Sequence, residues 1–389
     1  MIYVNFGKNS SEDHKWYWAD KGAKEYTEWT SADKNPIFYY DRHDLAMRNL
    51  EFRDFVTEEM WEHFRTNEEA LIVINFADDY INSADLDRFA SDIKLRNVDS
   101  SRVIFVLMDQ NFIEFVVNGL AARGINNISA DYINILMKRV PPRYNDEAIK
   151  THKFSIFSRN YWDWRFDIYL ELLKRGVLAN TNFSFHNYNP YTNELYDEER
   201  LKADAIKKGH VITQEVEEFI KGVPYDLGSR SNKFSDVIYE ALNTSDYHIV
   251  VESHFDPFLG INYEFAKKDY NELTISPGFI TEKVWKPIAC KRPFFIAATP
   301  FILRDLKKLG YKTFGEFIDE SYDEIVDDKQ RLLALTSEIE RINNLPTEEY
   351  NQLLASLQNI VEYNHSVYIN QWENVNFTKY PFLHGIVVL

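Results

Sequence analysis

Apolar residues in the first third of the chain fall into two patterns. Short β-branched runs, "MIYVNF" (1–6), "ALIVINF" (70–76) and "RVIFVLM" (102–108), predict strands, and "NNISA" (126–130) predicts a weaker fourth. Between or after them, segments 44–65, 83–96 and 111–123 carry apolar residues at helical spacing. Phe112, Phe115, Val116 and Leu120 make one such stripe, and Gly124 follows where a helix C-cap belongs. Strands alternating with helices predict a parallel sheet covered on both faces.

"KRVPPRYNDEAIKTHK" (138–153) interrupts this rhythm with two prolines and polar residues, which marks a linker. A first domain over 1–145 and a second over 146–389 are expected. The pattern then restarts. "KFSIFS" (153–158), "TNFSFHN" (181–187), "DYHIVVES" (246–253) and "PFFIAA" (293–298) predict strands. Helices are expected within 162–176, ending at Gly176, near 198–208 and over 232–243. Another is expected in the stretch that opens at Gly278. Beyond about 323 the chain reads as helical, with stripes of Leu332, Leu333, Leu335 and Ile339, then Leu353, Leu354, Leu357 and Ile360. The expected fold class is α/β: two Rossmann-like domains facing across a cleft, with C-terminal helices that could return to the first domain. Ligands of open α/β sheets bind beyond the carboxyl ends of the strands.

Composition narrows the function. The 389 residues suffice for two cores, and 24 Tyr, 28 Phe and 8 Trp argue against disorder. A formal net charge of −17 repels a phosphate backbone, so nucleic acid is not a favoured partner. Lys138, Arg139 and Arg143 could form a local basic patch or a solvated linker. The single cysteine, Cys290, sits in an apolar run and reads as a buried small side chain. The first residues lack the basic region and apolar run of a secretory leader, and no stretch approaches 18 apolar residues, so a cytoplasmic location is expected.

Three segments carry chemistry. In "GFITEKVWKP" (278–287), Thr281 is placed to cap a helix whose first N–H groups would favour an anion, and Lys283 adds a full positive charge. Glu282 cannot favour phosphate, but its carboxylate can accept paired hydrogen bonds from sugar hydroxyls. The turn therefore suits a nucleotide-sugar, against the plainer reading of an ordinary capped helix. Pro287 requires either a kink or a helix that starts near Trp285–Lys286. In "KFSIFSRNYWDWRF" (153–166), Ser158, Arg159 and Asn160 follow a strand, and Arg165 is expected about one and a half turns into the next helix. Arginine there suits a pyrophosphate, and a solvated pair is the alternative. In "VVESHFD" (250–256), Glu252 and Ser253 end an apolar strand, where the carboxylate would contact a ligand or serve a cap or ion pair. His254 and Asp256 lack a third ligand at convincing spacing, so no metal site is expected.

Taken together, these segments resemble the α1,3-fucosyltransferase-type glycosyltransferases. "VVES" followed by "GFITEKVWKPIACKRPFFIA" looks like that family's strand, Glu-containing turn and aromatic-Ile-Thr-Glu-Lys helix start. "KFSIFSRNYWDWRF" looks like its upstream Arg-bearing element. The resemblance covers about 150–300. It implies a GT-B fold and inverting transfer from a nucleotide-diphosphate sugar, usually GDP-fucose, with no essential metal or other cofactor. It also implies that Lys283 and Arg165 contact donor phosphates, that Glu282 contacts ribose or sugar, and that Glu252 lies beside the sugar. Arg159, Asn160, Ser253 and Thr281 complete the expected donor set. Pro287 and "CKRP" depart from the family pattern. So does an insertion such as "FLGINYEFAKKDYNEL" (258–273) between Glu252 and Glu282.

Inverting transfer needs a base for the acceptor hydroxyl and positive charge for the departing diphosphate. Asp78 and Asp79, after the "ALIVINF" strand, are the expected base, with Asp109 next, and Glu252 is counted with the pair as a catalytic residue; the plainer role of each aspartate is to cap a helix. The expected acceptor is a glycan or another hydroxyl-bearing polymer, and a modified DNA base in a viral setting is conceivable. A non-catalytic nucleotide-sugar binder on the same fold is the alternative. No GxGxxG, P-loop or GxSxG pattern supports a dehydrogenase or hydrolase.

Overall fold

In the computed structural model the described residues are 2–4, 24–25, 37–41, 58–76, 81, 83–107, 110–134, 137, 140–145, 147–189, 193–227, 236–256 and 278–374. Asp78, Asp79, Asp109, Lys138, Arg139 and the 258–273 insertion lie outside them, as do 44–57 and 232–235 of two expected helices. The described residues divide into two compact units, one of those within 2–137 with Asn374 and one of those within 140–256 and 278–373.

The first unit is a six-stranded, all-parallel sheet in the order β2-β1-β3-β4-β5-β6. Its strands are β1 (Ile2–Val4), β2 (Lys24–Glu25), β3 (Ile37–Asp41), β4 (Leu71–Phe76), β5 (Val103–Leu107) and β6 (Ser129–Tyr132). Helices α1 (Glu58–Thr66), α2 (Ser83–Leu95) and α3 (Asn111–Ala122) lie in the crossovers that parallel strands require. All five residues of β5 are buried, as a strand covered on both faces must be. Helix α2 packs closely on α3 because Gly119 has no side chain: a Cβ there would stand 2.5 Å from Leu86 Cδ1. Gly124 takes φ +75° after α3, the left-handed conformation expected of a C-cap. The "NNISA" strand begins later than its apolar residue suggests, at Ser129.

The second unit is a four-stranded parallel sheet in the order β12-β11-β7-β8, with β7 (His152–Ser158), β8 (Thr181–Phe185), β11 (Ser245–Val251) and β12 (Phe294–Ala297). A small antiparallel pair, β9 (Tyr188–Asn189) and β10 (Glu194–Leu195), stands apart from it. Helices α4 (Asp163–Lys174), α5 (Glu198–Lys207), α6 (Gln214–Lys221), α7 (Asp236–Asn243), α8 (Glu282–Ala289), α9 (Ile302–Lys308), α10 (Asp328–Asn343) and α11 (Thr347–Glu373) complete the unit. No helix among the described residues is long and apolar enough to cross a membrane.

The helical tail lies, through Glu373, in the second unit. Its apolar face is already used: Trp285 of α8 is fully buried, 5.4 Å from the Tyr311 ring and 6.4 Å from Tyr368 of α11. Burial of such rings contributes about 2–3 kcal/mol each. Arg165 is the third residue of α4, not a turn and a half in, because 159–162 precede the helix and Trp162 holds extended backbone (φ −141°, ψ 139°) at its N-cap. Helix α8 starts at Glu282 in spite of Pro287, which it carries internally. Proline there removes one backbone donor near the end of a short helix, and Arg292 N–H closes back onto the Pro287 carbonyl at 2.8 Å.

Candidate functional site

Strand order locates the site in the second unit. After β7 the chain adds β8 on one side, then returns to place β11 on the other side of β7. The loops leaving β7 and β11 therefore part company between two adjacent strands. That divergence at the carboxyl edge is where open α/β sheets bind ligands.

The loop after β11 is held by two buried arginines. Arg165, 4% exposed, donates from Nη2 to the Glu252 carbonyl at 2.8 Å. Arg331 of α10 is 2% exposed. It donates to the carbonyls of Ala298 (3.0 Å), Ile325 (2.8 Å), Val326 (3.0 Å) and Phe255, and to Asp328 Oδ1 at 2.6 Å. Its guanidinium also lies 4.2 Å from the Phe255 ring centroid, and that ring stacks on Trp164 at 5.0 Å. Ser253 and His254 are thus carried on a stretch whose backbone is bonded at both ends.

Glu252 is fully buried, and its carboxylate faces the start of α8. Oε1 accepts the Thr281 N–H at 2.8 Å, and Oε2 accepts the Thr281 hydroxyl at 2.6 Å and the Ser253 N–H at 3.2 Å. Burial holds this carboxyl above the usual carboxylate range, with Lys283 opposing. Thr281 is the N-cap of α8, as expected. Lys283 Nζ lies 3.0 Å from Thr281 Oγ1, 3.1 Å from Ser253 Oγ, 3.3 Å from Glu282 Oε1 and 3.8 Å from Glu252 Oε2. Burial alone would raise Glu282; the positive charges of Lys283 and Lys286 instead bring it down to about 2, so it stays ionised at neutral pH. Burial presses the Lys286 ammonium below its ordinary value, with Glu282 opposing. His254, against the Phe279 ring at 5.2 Å, is pushed down to about 4 by burial and then by the charges of Lys283 and Arg165. Two cations from separate elements therefore act on one position.

The structure brings together Arg165, Glu252, Ser253, Thr281, Glu282 and Lys283 from the expected set. Arg159 is exposed and Asn160 half-buried in the turn after β7. Among the described residues no ion pair or hydrogen bond joins either side chain to this cluster. Sequence reasoning missed Lys286, placed one helical turn from Lys283, and missed Arg331, whose signal was one arginine beside the apolar stripe of α10. It assigned His254 no role beyond the discarded metal site. Among the described residues no group of His, Cys, Asp and Glu forms a metal-binding cluster. Cys290 is buried as expected, and burial pushes its thiol up to about 12. A cavity of about 550 Å³ occurs elsewhere in this unit, lined by residues of α9, the 311–317 loop and α11; none of the cluster lines it. Converging charge at the strand switch, rather than cavity size, marks the site.

The chain matches no protein-family model and no curated protein. Among solved structures, it is similar to T4 phage BGT in complex with its UDP-glucose substrate, at 11% identity over 100% of this chain and 99% of that one, with a TM-score of 0.35. A structure of trehalose-6-phosphate synthase shares 11% identity over 89% of this chain and 75% of that one, with a TM-score of 0.41. An α,α-trehalose-phosphate synthase (UDP-forming) from Burkholderia xenovorans, in complex with glucose-6-phosphate, shares 10% identity over 96% and 98%, with a TM-score of 0.35. None of these scores is high enough to transfer a role to a residue here.

Proposed function

We propose that the chain is a glycosyltransferase that takes a sugar from a nucleoside-diphosphate sugar. The observation that carries this reading is the position of Lys283. Its side chain is 21% exposed at the strand switch of the second unit, and buried Arg165 adds charge beneath the same loop. Such a place suits the negative charge that develops on a departing diphosphate. Lys283 supplies the direct contact, and Arg165 acts from under the loop. Glu282, ionised and 26% exposed, accepts hydrogen bonds from ribose or sugar hydroxyls. Arg159 and Asn160, in the turn after β7, are further donor contacts.

The resemblance of "GFITEK" to the fucosyltransferase signature supports a GDP-fucose-like donor and an inverting, metal-independent transfer. The base that takes the acceptor proton is proposed at Asp78 or Asp79, which follow β4 in the sequence. The acceptor is a hydroxyl of a glycan or another polymer. A thermal-shift screen of GDP-, UDP- and CDP-sugars, followed by assay of released nucleoside diphosphate, tests the reading. A bound donor raises Tm by mass action. If no donor shifts Tm and none is consumed, the reading is lost.

A further inference from the structure

Glu252 occupies the centre of the cluster, yet it has no surface from which to meet a substrate. It is 0% exposed. Both carboxylate oxygens are engaged, Oε1 by the Thr281 N–H at 2.8 Å and Oε2 by the Thr281 hydroxyl at 2.6 Å. A carboxylate withdrawn from water in this way costs several kcal/mol, which only good hydrogen bonds and a nearby cation offset. Thr281 passes the arrangement on. Its hydroxyl hydrogen is donated to Glu252, so its oxygen lone pairs face Lys283 Nζ at 3.0 Å. Ser253 Oγ, on the residue after Glu252, accepts from the same ammonium at 3.1 Å. The Glu252 backbone is in turn fixed by Arg165 Nη2 at its carbonyl and by its own N–H to Ala297 O at 3.0 Å.

We infer that Glu252 is a positioning residue: through the Thr281 hydroxyl and Ser253 it sets where the Lys283 ammonium stands, and it does not touch the donor itself. This deepens the proposed function and rests on it for the identity of the ligand. The device explains why a buried acid is placed at the strand end. Without it, a lysine near the start of an eight-residue helix would sample many rotamers and lose that freedom again on binding. With it, the ammonium is already placed, and an incoming diphosphate oxygen takes over from the serine and threonine oxygens.

Thr281→Val and Thr281→Ser separate positioning from packing. Valine keeps the shape and removes the hydroxyl; serine keeps the hydroxyl. Two measurements apply: the His254 pKa by NMR titration without ligand, and the Kd of GDP, of UDP and of CDP by calorimetry. Thr281→Val is expected to raise the His254 pKa, because Lys283 leaves its seat, and to weaken nucleotide binding about tenfold. Thr281→Ser is expected to restore both. Glu252→Gln should likewise weaken nucleotide binding, and the Glu252→Gln, Thr281→Val double variant should add little. An unchanged His254 pKa in folded Thr281→Val overturns the positioning role, whatever the nucleotides do. A shifted pKa in a protein that binds none of GDP, UDP and CDP upholds the positioning role and removes the donor reading instead.

Discussion

Arg165 and Lys283 hold one residue from its two sides: Arg165 donates to the backbone carbonyl of Glu252 at 2.8 Å, and the Lys283 ammonium lies 3.8 Å from its carboxylate. The two cations come from helices that follow different strands, so their meeting is a product of the fold. Their division of labour follows from exposure. Arg165 is 4% exposed and committed to the loop, whereas Lys283 reaches the surface.

Lys283→Ala is therefore expected to weaken donor binding about 10- to 100-fold, the worth of one charge-assisted hydrogen bond. Tm without ligand should fall as well, because the buried Glu252 carboxylate loses its nearby cation. Titration of whichever nucleotide-sugar stabilises the wild type checks this. Equal affinity in the variant would remove Lys283 from the donor site.

Arg165→Met should act differently. It leaves the buried Glu252 carbonyl without its donor, a loss of about 1–3 kcal/mol. It also removes one of the two charges that depress His254, so the imidazole pKa should rise from about 4. NMR titration of the His254 ring reads this directly, and an unmoved pKa would show that the arginine charge does not reach that position.

Arg331→Met should be the most damaging single change outside the cluster. The guanidinium joins the Phe255, Ala298, Ile325 and Val326 carbonyls, and no apolar side chain can satisfy them. Breaking such a buried network costs about 3–5 kcal/mol. At about 2–4 °C per kcal/mol for a unit of this size, Tm should fall by roughly 10 °C. A drop of only a degree or two would contradict the bracing role.

His248 gives a pH prediction. It is buried beside Ser155, whose hydroxyl meets its Nδ1 at 2.9 Å, and burial pushes its pKa from 6.5 down to about 3. The unfolded chain binds this proton below about 6.5, and the folded chain does not until about 3. The contribution is therefore fully present above 6.5 and is lost as pH falls through that window. The slope of unfolding free energy against pH should be steeper in wild type than in His248→Asn, by about 1.4 kcal/mol per unit between pH 4 and 6. Urea midpoints across that range measure the difference, and parallel curves would refute it.

The sequence announced the strands plainly, because parallel strands buried on both faces read as unbroken apolar runs: "VIFVL" of β5 is buried at every position. Thr281 was legible too, since N-caps depend on local chemistry. Burial of charge was not legible. Arg165, Arg331 and Glu252 look like surface residues until the fold supplies the carbonyls and N–H groups they satisfy, among them partners 87, 33 and 29 residues away in the chain. The strand order that makes β7 and β11 neighbours is likewise a long-range fact, outside the reach of periodicity.

Gly278 marks the other border of the cluster. Its N–H is taken by Asp305 Oδ2 at 2.8 Å, and a Cβ there would stand 3.2 Å from the Ile302 backbone, so the chain re-enters the unit through a fixed gate. Arg331 closes the matching gate at Phe255. Lys283 thus keeps its seat between two backbone contacts, at Phe255 and at Gly278, that are both made inside its own unit.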